Sequence, residues 1–146
     1  MEISFPEDTE STIDAIRDAI GRDVNFVTAT LSGCTTSGCY LDPVTDTSTN
    51  SFCPTCSGLY WIPSYTQNAV NAHITWAGAD IMGWVAGGQY FDGDCRIQIK
   101  YTATNLSLVE DAEYVEVDNK VFTIRSKILR GVQNLNRIIL DLIEKE

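Results

Sequence analysis

Apolar and polar residues alternate along much of the chain with the period of two that is typical of β-strands. The pattern runs through residues 24–31, 70–77 and 95–101, and through two runs on either side of Asp118-Asn119. Asp and Asn tolerate the positive φ of a two-residue type I′ turn, so residues 114–124 are predicted to form a hairpin. Residues 137–143 fit a strand or a short helix, and their β context favours a strand. The fold is therefore predicted to be mainly β.

One segment near the start instead has the period of an amphipathic helix. Residues 11–20 begin at Ser11, whose position resembles a capping box, and Gly21 is a suitable residue to end the helix. The isoleucines share one face, which we expect to pack on the rest of the domain, while Arg17 is expected to point elsewhere. These isoleucines are Ile13, Ile16 and Ile20.

Length and composition indicate a single globular domain spanning residues 1–146. The chain is 44% hydrophobic and 10% aromatic, which is typical of a protein with a packed core. No run of apolar residues approaches the length of a membrane span. The acidic start, MEISFPED, lacks the basic and apolar regions of a secretory signal, so we expect a reducing compartment.

The charge is strongly acidic, with 20 acidic residues against 10 basic ones. Residues 1–60 carry nine acids and two bases, and no cluster of Lys or Arg occurs in the chain. Binding to a phosphate backbone or to an anionic membrane surface requires such a cluster. The composition thus disfavours nucleic acid and an anionic membrane as partners. A contribution to solubility is sufficient to explain the negative net charge.

Residues 32–57 differ from the rest, because they are rich in Ser, Thr and Gly and contain no Lys or Arg. They have too few apolar residues for a core of their own. Four cysteines lie in this segment with the spacing C-x4-C-x13-C-x2-C, at Cys34, Cys39, Cys53 and Cys56.

This spacing predicts a structural zinc site with four thiolate ligands. The second pair has the CPxC-x-G form of a zinc knuckle, in which a tight turn directs backbone amides at sulfur. Gly33 and Gly38 each precede a cysteine of the first pair and allow a sharp turn. Disulfides and unligated thiols are the alternatives. A site with four protein ligands has no open position, so this zinc is not expected to be catalytic. The fifth cysteine, Cys95, is predicted to be a core residue.

No catalytic residues are predicted, and the chain is not expected to be an enzyme. His73 is the single histidine, and no motif places it beside a nucleophile. Asp92-Gly93-Asp94 has the start of a calcium loop without its remaining ligands, so a turn is favoured. The aromatic residues that would suit a stacking platform for single-stranded nucleic acid lack interleaved basic residues, and core or interface packing is favoured instead. They are Tyr60, Trp61, Trp76 and Trp84.

The N-terminal part of the chain resembles the opening of small head–tail connector proteins of tailed bacteriophages. The resemblance rests on residues 11–24 (STIDAIRDAIGRDV), on the strand that follows them and on the cysteine segment ending in CPTC. Residues 112–124 (AEYVEVDNKVFTI) and 130–132 (RGV) are similar to the hairpin region of head-closure, or stopper, proteins. The resemblance implies a small β-barrel body, here residues 58–146, with a short N-terminal helix (11–20). The zinc-binding insertion (32–57) departs from the plainest members of this group.

The same resemblance implies the function and the partners. Stopper proteins form a homo-oligomeric ring in the neck of the virion, between the portal or adaptor and the tail, and help to retain DNA, which passes through without sequence-specific binding. The chain is thus expected in the virion, assembled in the host cytoplasm, without a membrane partner. An adaptor or tail-terminator role in the same neck is one alternative. A zinc-containing protein-binding module is an alternative of another class, and a zinc-dependent hydrolase is the least favoured.

Overall fold

The computed structural model describes residues 8–76, 94–131 and 134–145. The elements follow in the order α1 (Thr9–Ile20), β1 (Arg22–Gly33), β2 (Leu41–Asp42), β3 (Thr47–Ser48), β4 (Trp61–Trp76), β5 (Cys95–Lys100), α2 (Ala103–Asp111), β6 (Ala112–Val117), β7 (Lys120–Arg130) and β8 (Arg137–Glu144). The predicted turn at Asp92-Gly93 and the aromatic Trp84 lie outside the described residues.

Six of the strands form a closed barrel in the order β1-β4-β5-β8-β7-β6, and β2 and β3 form a separate two-stranded sheet. The prediction of a mainly β fold, with a small barrel, a short N-terminal helix and a cysteine cluster, is confirmed. Two compact units are present. The cysteine unit is Ala29–Thr66, and the barrel unit comprises the described residues before and after it. The barrel includes β1, which precedes the cysteine segment in the chain.

The core of the barrel unit is built by the period-two positions of its strands. On β5, Cys95, Ile97 and Ile99 are buried, while the residues between them are half-buried. These three pair with Leu142, Leu140 and Ile138 of β8, so alternate residues of both strands line the interior. Cys95 is thus a core residue, as predicted, and the pattern 137–143 forms a strand.

The predicted hairpin is present between β6 and β7. Val117 pairs with Lys120, which leaves Asp118 and Asn119 as the two residues of the turn. Their φ angles are 50° and 65°, as a type I′ turn requires. Asp118 also accepts an ion-pair hydrogen bond from Arg22 at the start of β1.

Helix α1 ends at Gly21 as expected, but its burial differs from the sequence prediction. Ile16 and Ile20 are 56% and 59% exposed, whereas Arg17 is only 5% exposed. The helix therefore turns its arginine, not its isoleucine face, most deeply into the barrel unit. Ser11 does not cap the helix either, because its hydroxyl donates to the Asp8 carbonyl oxygen.

Helix α2 follows β5 and was not indicated by the periodicity. Its first turn is capped by Thr102, whose hydroxyl accepts a hydrogen bond from the Asn105 amide at 3.0 Å. Val109 is its one buried residue and belongs to the barrel core. Neither of the two helices in the described ranges has the length and apolar character that a membrane span requires.

Candidate metal centre

The four cysteines of the cysteine unit converge on one point. All four sulfur atoms lie within 4.8 Å of one another, and all four side chains are buried. The Sγ atoms of Cys34 and Cys53 are 3.8 Å apart, and those of Cys39 and Cys56 are 3.6 Å apart. Each close contact thus joins one member of the first pair to one member of the second.

No disulfide is present among the four residues. A disulfide holds its sulfurs at about 2.05 Å, and all five cysteines of the chain are free thiols. Four sulfurs in such a cluster could bind a metal ion. The sequence prediction of a metal-capable cysteine cluster is confirmed to this extent.

The second pair is held by a tight turn. The amide of Cys53 donates to the Asn50 carbonyl, and the amide of Ser57 donates to the Cys53 carbonyl. Within this turn the Cys53 sulfur accepts hydrogen bonds from the backbone amides of Cys56 and Thr55, which lower the pKa of Cys53 to about 6. Gly58 closes the turn with φ +85°, a conformation that L side chains rarely adopt. The expected direction of backbone amides toward sulfur is therefore confirmed.

The first pair combines one sulfur that favours ionisation with one that resists it. Hydrogen bonds from the Thr36 hydroxyl and amide lower the pKa of Cys34. The Ser48 hydroxyl, 2.9 Å from the Cys39 sulfur, also favours the thiolate of Cys39. Burial and the neighbouring sulfurs outweigh that hydrogen bond and raise the pKa of Cys39 to about 12.

The cluster is also the centre of its unit. Among residues 29–66, all of which the structure describes, the only other buried residue is Ser48. Tyr60, which directly precedes β4, and Ile62 of β4 pack against the sulfurs while remaining partly exposed. The cysteine unit thus has sulfur where a domain of its size would have an apolar core.

Two residues of this site were missed by the sequence reasoning. Thr36 lies two positions after Cys34, and a hydroxyl so close to a cysteine could have been noted. Ser48 lies nine positions from Cys39, and only the pairing of β2 with β3 brings it to the sulfur. No local sequence signal identifies it.

The other candidates do not join this cluster. His73 lies on β4, opposite Gln98 of β5. Asp94 is buried, and its carboxylate accepts a hydrogen bond from the Glu144 amide. Trp76 packs against the Phe122 ring in the barrel unit.

The remaining two aromatic candidates lie in the cysteine unit. Tyr60 and Trp61 make an edge-to-face contact, with ring centroids 5.1 Å apart. The indole of Trp61 also donates to the carboxylate of Asp46.

Neither a family model nor a curated protein nor a solved structure matches this chain.

Proposed function

We propose that this protein is an architectural component of a larger assembly, and that a structural zinc ion holds its cysteine unit in shape for contact with a protein partner. The observation that carries the proposal is the convergence of four buried sulfurs in a unit without an apolar core. Structural zinc supplies on the order of 10 kcal/mol of folding free energy, which offsets the entropy of ordering so polar a segment.

The spacing of the sulfurs supports zinc. A tetrahedral ion with bonds of about 2.3 Å to sulfur places its ligands about 3.8 Å apart. The Cys39–Cys56 and Cys34–Cys53 sulfur separations, 3.6 and 3.8 Å, match that edge length. Four protein ligands complete the tetrahedron, so no position is left for water or substrate, and the role of the metal is structural.

Large apolar side chains on the outside of the cysteine unit support the protein partner. Val44 and Phe52 are 91% and 94% exposed, and Tyr40 and Leu59 are more than 60% exposed. Folding around a metal does not require these side chains to be buried. Burying such side chains against a protein partner is energetically favourable. Aromatic residues also contribute much of the binding energy in many interfaces.

The charge of the unit specifies the chemistry of that partner. Residues 29–66 contain Asp42 and Asp46 but no Lys or Arg. Four thiolates around one Zn²⁺ add a net charge of about −2 to these carboxylates. The complementary surface is therefore apolar with Lys or Arg at its rim.

We assign this assembly to the neck of a tailed bacteriophage, where the protein forms a ring between the portal or adaptor and the tail. The resemblance of residues 11–24 and 112–124 to connector and stopper proteins supports this assignment, and a closed six-stranded barrel is compatible with it. The net charge of −10 suits a channel through which DNA slides without adhesion. An adaptor or tail-terminator position in the same neck is the alternative.

The test uses the phage that encodes the chain, with Phe52→Ser compared against Leu135→Ser. Both residues are exposed, and Leu135 lies in the barrel unit. We expect the Phe52→Ser phage to yield filled heads without tails or heads that lose DNA, whereas Leu135→Ser gives normal particles. Electron cryo-microscopy of wild-type virions should show the barrel repeated around the neck. Virions that lack the protein would contradict the assignment.

A further inference from the structure

The barrel unit contains a cavity that the metal centre does not explain. It has a volume of about 310 Å³ and lies between α1 and the outer surface of strands β4, β5 and β8. The size is at the lower end of the range for small-molecule sites. Its lining residues are Ile13, Ile16, Arg17, Ile20, His73, Gln98 and Arg137.

One wall of this cavity is apolar and open to solvent. It is formed by the three isoleucines of α1, of which Ile16 and Ile20 are more than half exposed. Exposing two adjacent isoleucines on a helix leaves apolar surface in water, and an apolar ligand body in the cavity would cover it. The opposite wall carries His73, Gln98 and Arg137.

One of the residues that line the cavity, Arg17, has a buried guanidinium that is incompletely satisfied. Arg17 is 5% exposed, and its Nη1 donates to the Asp14 carboxylate at 2.8 Å. Its Nη2 is buried without a hydrogen-bond partner among the described residues. An unsatisfied donor on a buried cation is costly, and an anionic oxygen within the cavity would remove that cost.

The surrounding charges are positive in a protein that is acidic overall. None of the seven lining residues is acidic. Arg137 of β8 is directly opposite Lys100 of β5 on one side and Arg130 of β7 on the other. Asp14 pairs with Lys100 as well as with Arg17, so one carboxylate serves two cations. Like charges at paired positions repel, which a bound anion would relieve.

The geometry points to a binding site for a small aliphatic monocarboxylate, with its carboxylate between Arg17 and Arg137 and its chain along the isoleucines. A guanidinium matches a carboxylate in shape and charge. Three of the four α1 residues that line the cavity lie in the second half of the helix, where the dipole is negative. This disfavours a phosphate dianion more than a carboxylate with a single negative charge.

The probe for this site is sodium octanoate, titrated into the full-length protein below its micelle concentration and followed by calorimetry and by backbone amide NMR. We expect saturable binding, with shifts confined to α1 and to the facing parts of β4, β5 and β8. Uncharged 1-octanol and inorganic phosphate should each bind at least tenfold more weakly. Equal binding of the alcohol, or phosphate binding as tight as that of octanoate, would overturn the proposal.

Two variants distinguish loss of octanoate binding at this site from a general loss of folding. Arg137→Gln should weaken octanoate binding at least tenfold, whereas Lys127→Gln, a change at an exposed ion pair with Glu110, should leave it unchanged. Ile16→Glu, at an exposed position, should place a carboxylate near Arg17 and abolish binding without loss of the fold. Octanoate binding that survives in both Arg137→Gln and Ile16→Glu would refute the site.

Discussion

Arg96 and Asp141 face each other across β5 and β8 and form a two-point ion pair, with Nε 2.6 Å from Oδ1 and Nη2 3.1 Å from Oδ2. The Ser126 hydroxyl donates to the same Oδ2 from β7. Asp141 is 4% exposed, so this carboxylate is satisfied on the barrel by residues from two neighbouring strands. The ion pair and the Ser126 hydrogen bond together link three adjacent strands of the closed sheet, β5, β8 and β7.

Replacing Arg96 by Met should destabilise the barrel unit, because it removes a two-point ion pair from the buried Asp141 carboxylate. We expect a loss of about 1–3 kcal/mol in the free energy of unfolding, measured by urea denaturation. Lys127→Met, which breaks an exposed pair with Glu110, should cost less than about 1 kcal/mol. Equal losses in the two variants would show that the buried ion pair contributes no more to the free energy of unfolding than the exposed one.

The turn of the β6–β7 hairpin gives a second prediction about stability. Asn119 has φ 65°, a region that a β-branched residue occupies only under strain. Asn119→Val should lower the free energy of unfolding by about 1–2 kcal/mol, whereas Asn119→Gly should not lower it. Thermal unfolding of both variants provides the measurement, and a Val variant as stable as the Gly variant would contradict the turn geometry.

Much of the barrel could be predicted from the sequence, because a strand with one buried face has apolar residues at alternate positions. This holds for β5 and for the β6–β7 hairpin, where the turn residues add a second signal. Helix α2 could not be found in this way, since nine residues with one buried side chain give little periodicity. Its capping hydroxyl, Thr102, was the available signal.

The orientation of α1 shows a different limit. Periodicity correctly identified the helix and grouped its isoleucines on one face. It could not show that Arg17 would be the buried residue, because that depends on Asp14 and on the strands beneath the helix. At the metal centre, the cysteine spacing identified all four sulfurs, whereas Ser48 reaches Cys39 only through tertiary structure.

The hydrogen bond from Ser48 to the Cys39 sulfur should tune the metal site. Ser48→Ala removes a donor that favours the Cys39 thiolate, so we expect zinc affinity to fall by about tenfold or more, as measured by competition with a chromogenic chelator. Thr45→Ala is the matched control, since Thr45 is exposed and its hydroxyl contacts Thr47. The role of Ser48 would be refuted if both variants retained wild-type affinity.

Thiol reactivity should distinguish Cys95 from the cluster. Burial, together with Asp94 and Asp118, raises the pKa of Cys95 to about 12, so its thiol stays protonated at pH 8 and reacts slowly. Removing the metal with a chelator should unfold the cysteine unit, so the raised pKa of Cys39 in the folded cluster is lost and all four cluster thiols react with a thiol reagent. The fifth thiol, in the folded barrel unit, should react only in denaturant. Cys95→Ala should show the same four and no fifth. Five fast thiols in the folded wild-type protein would be inconsistent with a buried Cys95.

Loss of a cluster cysteine should affect the two units differently. Cys53→Ser or Cys56→Ser should abolish stoichiometric zinc and make residues 29–66 sensitive to proteolysis, while the barrel unit keeps its β-sheet circular dichroism. Cys95→Ala serves as the control, because it removes a cysteine without touching the cluster. Unchanged metal content in both serine variants would show that the ligands are wrongly assigned.

The most direct measurement is the metal content of the wild-type protein purified without chelator, combined with X-ray absorption at the zinc edge. We predict one zinc ion per chain, surrounded by four sulfur atoms at about 2.3 Å. Metal-free protein, or an intact mass lower by four hydrogens as two disulfides require, would contradict a metal-held cysteine unit.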